Sequence, residues 1–438
     1  MQPPERALDL GIVCDPSGPD DADDPSPADR QETTMSSMPK TNTASDTETD
    51  TETRTSAKAT TDTATATATD TTTVKDRTTP ILSPDELVGR LAESFAGAVD
   101  LFALYAGEQL GLYRALHEQG PATSRDVATR TGMHERYARE WLEHQTIAGL
   151  LIVDGVSQPA GERVYSLPSG YENVLVDPDS PMFSTPMGRL LIAAMRQAPS
   201  LLTAYRTGAG VSWAAYGDDM RTGQSDLNRP LFLHNLVPDY LSQIEGLDDA
   251  LRRPRARIAE IGPGGGWAAV AMAGAYPDAI YEGFEVDGPS VDLANANLAE
   301  AGLADRARVF QQDAARAKSQ GQCDLVIALE CIHDLADPIR ALAAMRKLAK
   351  PGGRVIVMDE RCAEEFGAVG DIVERVLYGY SLMVCLPDGM SQQPSAGTGT
   401  VMRPSTMDAY ARKAGFARAD VLALENDMFR FYDLVIAS

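Results

Sequence analysis

The chain has 438 residues, 43% of them hydrophobic, and a formal net charge of −24 at neutral pH. That length allows two or three domains and a sizeable core. The acidic balance argues against a broad phosphate-binding face for nucleic acid, and no run of about 18 apolar residues offers a membrane span.

Residues 1–80 contain no aromatic side chain, and 18 of the 40 residues from 41 to 80 are threonine. Such a segment cannot bury enough apolar surface to offset its ordering entropy, so a disordered Thr/Asp-rich tail is expected. Met35 and Met38 are candidate later starts. Residues 7–14 are too short and too interrupted for a signal core. Cys14, Cys323, Cys331, Cys362 and Cys385 are scattered and form no C-x-x-C pair, which suits a reduced, cytoplasmic setting.

Order is expected from Ser83-Pro84-Asp85-Glu86, a helix start with proline in its first turn. Leu87, Leu91, Phe95, Val99, Phe102 and Tyr105 then recur at helical spacing. Further helices are expected over 108–119, 124–131 and 134–150. Residues 151–153 and 164–167 flank a Gly/Pro-containing loop, as the strands of a wing would. Residues 81–170 thus read as a winged helix-turn-helix. Its second helix carries Glu135, Glu140 and Glu143 against Arg136 and Arg139, and acids aimed at a groove repel phosphate. Residues 171–250 read as a helical connector lining the open side of a pocket. Phe183, Met187, Leu190, Leu191, Ala194 and Met195 mark one of its helices and residues 231–244 another. His234, on the second, is given no role.

Residues 257–287 read as strand, glycine loop, helix and strand. Gly262, Gly264 and Gly266 supply backbone freedom after a strand at 257–261, and a second strand over 280–286 ends on Glu285, with Asp287 just beyond. Such a unit holds its ligand at the carboxyl ends of the strands. The dinucleotide fingerprint wants glycine or alanine at position 267, where this chain has Trp267. The spacing instead fits G-x-G-x-G with Glu260 two residues ahead, which resembles motif I of the class I S-adenosylmethionine (SAM) methyltransferases. The resemblance implies that Glu260, Gly262, Gly264 and Gly266 help to bind SAM and that Glu285 accepts hydrogen bonds from the ribose hydroxyls, with Asp287 the runner-up.

After a helix over 291–301 and a strand over 307–310, Asp313-Ala314 matches the family pair that meets the adenine. A buried strand over 323–330 places Leu329 beside the cofactor and runs into Cys331-Ile332-His333-Asp334-Leu335-Ala336-Asp337. This loop resembles the H-D-x-x-D loop of caffeic-acid-type and hydroxyindole-type O-methyltransferases. The resemblance implies that His333 is the general base for the acceptor hydroxyl, followed by Asp334 and steered by Asp359, with Glu360 adjacent. Imidazole titrates near neutral pH, so it can take the proton as oxygen attacks the methyl. A sulfonium is already a good leaving group, so the chemistry calls for no metal. Residues 348–353, Leu-Ala-Lys-Pro-Gly-Gly, are a further methyltransferase-like turn. Residues 361–406 read as a lid insertion with an amphipathic helix, and strands over 421–424 and 430–436 as the closing antiparallel pair of the class I fold.

The expected fold is therefore α/β and Rossmann-like, a seven-stranded sheet with a closing hairpin over residues 251–438, preceded by the winged-helix domain. The expected function is SAM-dependent methyl transfer to a small-molecule acceptor, at a hydroxyl, by a homodimer without membrane or nucleic-acid partners. The alternatives are a winged-helix transcriptional regulator or ligand sensor with a SAM-binding domain, and an N-, C- or RNA methyltransferase of the same fold. Asp334, Asp337 and Asp359 keep a metal-dependent catechol-type enzyme in view.

Overall fold

The computed structural model describes residues 81–436, so the reading of residues 1–80 as a tail, and Cys14, lie outside the described residues. The first helix, α1 (Pro84–Gln109), starts on a capping box in which Ser83 and Glu86 satisfy each other's backbone N–H groups. It ends before Gly111, whose left-handed φ turns the chain into α2 (Leu112–Gln119). A second capping box, Thr123 with Asp126, opens α3 (Ser124–Thr131), and Gly132 turns the chain towards α4 (Glu135–Ile147). Strands β1 (Ile152–Asp154) and β2 (Val164–Ser166) pair antiparallel as the wing. Leu112, Tyr113, Leu116, Val127, Trp141, Leu142 and Tyr165 form the core of this region.

A short α5 (Glu172–Leu175) leads to α6 (Pro186–Arg196), α7 (Ala198–Thr207) and α8 (Trp213–Leu231). Gly217, at φ 76°, kinks α8 near its start. Pro230 and Pro238 lack the N–H that α-helical bonding needs, and the helix widens into π turns over Phe232–Tyr240. One long, bent helical rod therefore occupies the stretch read from the sequence as a single helix over 231–244.

After α9 (Leu247–Leu251) the chain alternates strand and helix: β3 (Arg257–Ile261), α10 (Trp267–Ala275), β4 (Ile280–Glu285), α11 (Gly288–Glu300), β5 (Ala307–Gln311), β6 (Cys323–Leu329), α12 (Pro338–Leu348) and β7 (Ala349–Glu360). Then come α13 (Ile372–Tyr380), π turns over Ser381–Cys385, the short α14 (Leu386–Gly389), α15 (Pro404–Lys413), β8 (Phe416–Val421) and β9 (Phe429–Ile436). The sheet order is β5-β4-β3-β6-β7-β9-β8, parallel from β3 to β7, with β9 antiparallel to both neighbours.

This is the expected α/β fold with its closing hairpin. All seven residues of β6 are buried because helices cover both sheet faces. Side chains of β6 divide by alternation: Leu325, Ile327 and Leu329 face one core, and Val326 and Ala328 the other. The chain runs outward from β3 to β5 and then returns to the opposite side of β3 as β6. A crevice opens at the carboxyl ends of β3 and β6 where this order reverses, and ligands of open α/β sheets bind at such switch points.

Candidate active site

Two loops meet at that switch point. One follows β3 and holds Gly262, Gly264 and Gly266, all with left-handed φ (66°, 51° and 78°). The other follows β6 and holds Cys331, whose thiol reaches the Ile261 carbonyl at 3.2 Å. A Cβ on Gly262 would stand 2.9 Å from that sulfur, and one on Gly266 would stand 2.8 Å from the Ala294 Cβ. A Cβ on Gly265 would meet the Ser225 hydroxyl of α8 at 1.9 Å, so α8 lies directly on the glycine loop. A Cβ on Gly264 would meet nothing within 4 Å, so the loop is open there.

Glu285 ends β4 against this loop. Its Oε1 accepts from the Val286 and Asp287 N–H groups at 2.7 and 3.0 Å, and its Oε2 accepts from Gly264 at 3.4 Å. Burial pushes its pKa up, and those three N–H groups oppose the shift. Asp287 is employed otherwise. It caps α11 through Ser290 and forms a bidentate pair with Arg221 of α8 (2.7 and 3.1 Å). Burial works against its charge, but Arg221 and Ser290 outweigh burial and hold it below the usual carboxylate range.

Glu260, 1% exposed, lies under the loop and accepts from the Tyr281 hydroxyl. Burial lifts its pKa to about 7, against the pull of that hydrogen bond. Asp313 caps the turn after β5 through Ala315 and pairs with Arg340 at 2.5 Å, while Ala314 beside it is buried. Leu329 is buried at the end of β6. The register pairs Ile261 with Phe284 and Ala328, and Leu329 with Met358, so residues from 260 to 360 reach one sheet edge.

His333, 2% exposed, stands in the loop after β6. Its Nδ1 contacts Asp359 Oδ1 and lies 3.0 Å from Glu360 Oε2; its Nε2 lies 3.1 Å from Asp334 Oδ1. Burial disfavours the imidazolium, but Asp334, Asp359 and Glu360 outweigh burial and raise the pKa well above its ordinary value. Burial would raise Asp359, yet the facing imidazolium holds it low, whereas Glu360 is raised by burial. Cys385, buried in the π turns after α13, also approaches His333. The donor atoms of His333, Asp334 and Cys385, and those of His333, Asp359 and Glu360, lie within 4.8 Å of one another, as a metal site would need.

Several residues here were not singled out from the sequence. Met220, Gln224 and Asn228 repeat every four residues along α8 and so share one face. The Tyr380 hydroxyl of the lid helix lies 3.4 Å from Met220 Sδ and 3.3 Å from Gln224 Oε1. Gln224 donates to Asn228 at 3.3 Å, and Asn228 donates to Glu330 Oε2 at 3.2 Å. The four-residue spacing was the available signal, but nothing local says which way that face turns.

The fold and the crevice define a class I methyltransferase that uses SAM. The residues fit that cofactor: open space faces Gly264, and a half-buried carboxylate stands beside that residue's N–H. The chain is a SAM-dependent methyltransferase with an N-terminal winged-helix domain. A methyltransferase-domain family matches residues 232–419, and an Rv2258c-like winged HTH domain matches residues 98–176. The ubiquinone biosynthesis O-methyltransferase of Pseudomonas aeruginosa is 25% identical over 206 residues, 46% of this chain and 81% of that protein. That of Ralstonia nicotianae is 27% identical over 196 residues, 44% of this chain and 75% of the relative. Mitomycin 7-O-methyltransferase MmcR shares the fold with a TM-score of 0.59 and 21% identity, covering 80% of this chain and 98% of its own. Human N-acetylserotonin methyltransferase in complex with SAM does so with a TM-score of 0.60 and 19% identity, covering 82% and 100%.

Proposed function

We propose that this enzyme transfers the methyl group of SAM to a hydroxyl of a small organic acceptor, with His333 as the general base. The observation that carries this reading is His333 itself. It is buried at the carboxyl end of β6, beside the glycine loop, with Nδ1 on Asp359 and Nε2 turned the other way.

Bound SAM supplies an electrophilic methyl on a sulfonium. Glu285 holds the ribose hydroxyls, Asp313 and Ala314 flank the adenine, Glu260 and Leu329 support the pocket wall, and the three glycines leave room for the amino-acid tail. Asp359 orients the imidazole and stabilises its cation as the proton arrives. An acceptor hydroxyl that displaces Asp334 from Nε2 takes the place of one of the carboxylates that raise the His333 pKa, and presents its proton to that nitrogen.

The exposed apolar residues of α1 support a homodimer. Leu91 is 60% exposed and Phe95 72% exposed, with Leu87 and Phe102 on the same face. On α4, Arg136 and Arg139 pair with Glu140 and Glu135, which leaves little positive charge for a nucleic-acid backbone.

The test is a screen of metabolite hydroxyls with methyl-labelled SAM, followed by His333→Ala. That variant keeps its affinity for SAM and loses about 10²–10⁴-fold in turnover. Full activity in the variant would remove His333 from the chemistry.

A further inference from the structure

Glu330 has no assigned part in the reaction just described, yet it is built into the site. It immediately follows β6, three residues before His333. Its backbone φ is 53°, in the left-handed region that side chains rarely adopt; among the described residues other than glycine only Arg255 shares a positive φ. One carboxylate oxygen, Oε2, is tied to Asn228 of α8 at 3.2 Å. The other, Oε1, is sealed from solvent and has no hydrogen-bond partner among the described residues. Asp359, 1% exposed, likewise leaves Oδ2 without one.

The neighbouring charges do not supply a donor. The ion pairs of Asp334, Asp359 and Glu360 are all made with the single imidazole of His333. A buried carboxylate oxygen that accepts nothing is costly, and such groups call for a charged donor. Burial pushes Glu330 up to about 8, with the Asn228 hydrogen bond opposing.

We propose that Glu330 Oε1 is the acceptor for an alkylammonium group bound in the crevice, held in aim by Asn228 and, through Gln224, by Tyr380 of the lid helix. Two ligands carry that chemistry: the amino-acid tail of the cofactor, or an amine-bearing methyl acceptor. The proposal rests on SAM binding and not on His333 acting as base.

Calorimetry on the full chain and on Glu330→Gln tests it with four probes. S-adenosylhomocysteine carries the ammonium, and 5′-methylthioadenosine lacks it. Tyramine and its neutral alcohol counterpart are then offered to protein saturated with S-adenosylhomocysteine. If the cofactor is the ligand, Glu330→Gln binds S-adenosylhomocysteine about 10-fold or more weakly and methylthioadenosine unchanged. If the acceptor is, S-adenosylhomocysteine binds both proteins alike, wild type prefers tyramine to the alcohol, and the variant loses that preference. Glu330→Gly, whose backbone suits a φ of 53°, reproduces either loss if the variant side chain is not itself the cause. Equal weakening of both nucleosides, or unchanged S-adenosylhomocysteine affinity with no amine preference lost, overturns the proposal. A wild-type protein that binds no S-adenosylhomocysteine would overturn the cofactor reading, and this one with it.

Discussion

Replacing Asp359 by asparagine removes one negative charge from the Nδ1 side of His333 and changes almost no volume. Asp359 is 1% exposed and contacts Nδ1 directly, while Glu360 Oε2 stays 3.0 Å away and partly substitutes. A close opposite charge shifts a pKa by about 1–3 units, so with Glu360 still present the loss is about 1–2 units. Because the three carboxylates hold the imidazole above its ordinary value, the acid limb of the turnover profile in the wild type lies above about pH 6.5. Turnover rises as pH passes that limb, since the base must first lose its proton. In Asp359→Asn the limb moves down by about 1–2 units.

The same charge stabilises the imidazolium that forms when the acceptor proton moves to Nε2. Losing about 1–2 units there costs about 1.4–2.8 kcal/mol in the transition state. Turnover above the limb therefore falls about 10–100-fold. The sign for stability is separate. A histidine raised on folding contributes stability that is full below its unfolded pKa and fades as pH rises through the folded value. The melting difference between wild type and variant thus narrows on the alkaline side of that folded value. The assay is transfer of labelled methyl to an acceptor from the hydroxyl screen, followed against pH, with S-adenosylhomocysteine affinity measured in parallel. An unmoved acid limb with full turnover would refute the argument that Asp359 acts through His333.

Three further outcomes are expected. Glu285→Ala weakens SAM binding by about 1–3 kcal/mol, because a charged hydrogen-bond acceptor is lost, and calorimetry reads it directly; unchanged affinity would take Glu285 out of the site. Phe95→Asp, in the middle of the exposed apolar face of α1, shifts the solution mass from dimer to monomer by light scattering, and a retained dimer would place the interface elsewhere. Gly210→Ala puts a Cβ 2.1 Å from the Ser391 backbone N and 2.2 Å from the Pro387 carbonyl, which the short α14 region cannot absorb without moving. It costs about 1–3 kcal/mol by overpacking and raises the acceptor KM while S-adenosylhomocysteine affinity holds; an unaltered melting temperature would show that the lid yields freely.

Much of this protein was legible along the chain because the relevant chemistry is local. The glycines at 262, 264 and 266 state their left-handed backbone in their own identity. Ser83 with Glu86, and Thr123 with Asp126, announce helix starts within four residues. The uninterrupted apolar run of β6 declares a strand covered on both faces. Even the contact of His333 with Asp359 was anticipated, through the family resemblance of the two loops that carry them.

Tertiary structure alone decided between neighbours that look alike in one dimension. Glu285 and Asp287 are both acids at one strand end, and only Arg221, arriving from α8, separates them by pairing with Asp287. The sequence does not show that α8 roofs the crevice, that Cys385 approaches His333, or that Glu330 keeps one oxygen without a partner. The reversal of strand order between β3 and β6, and the kink at Gly217 in α8, bring those residues together. Contacts made across a hundred residues depend on packing, which no local pattern of side chains encodes.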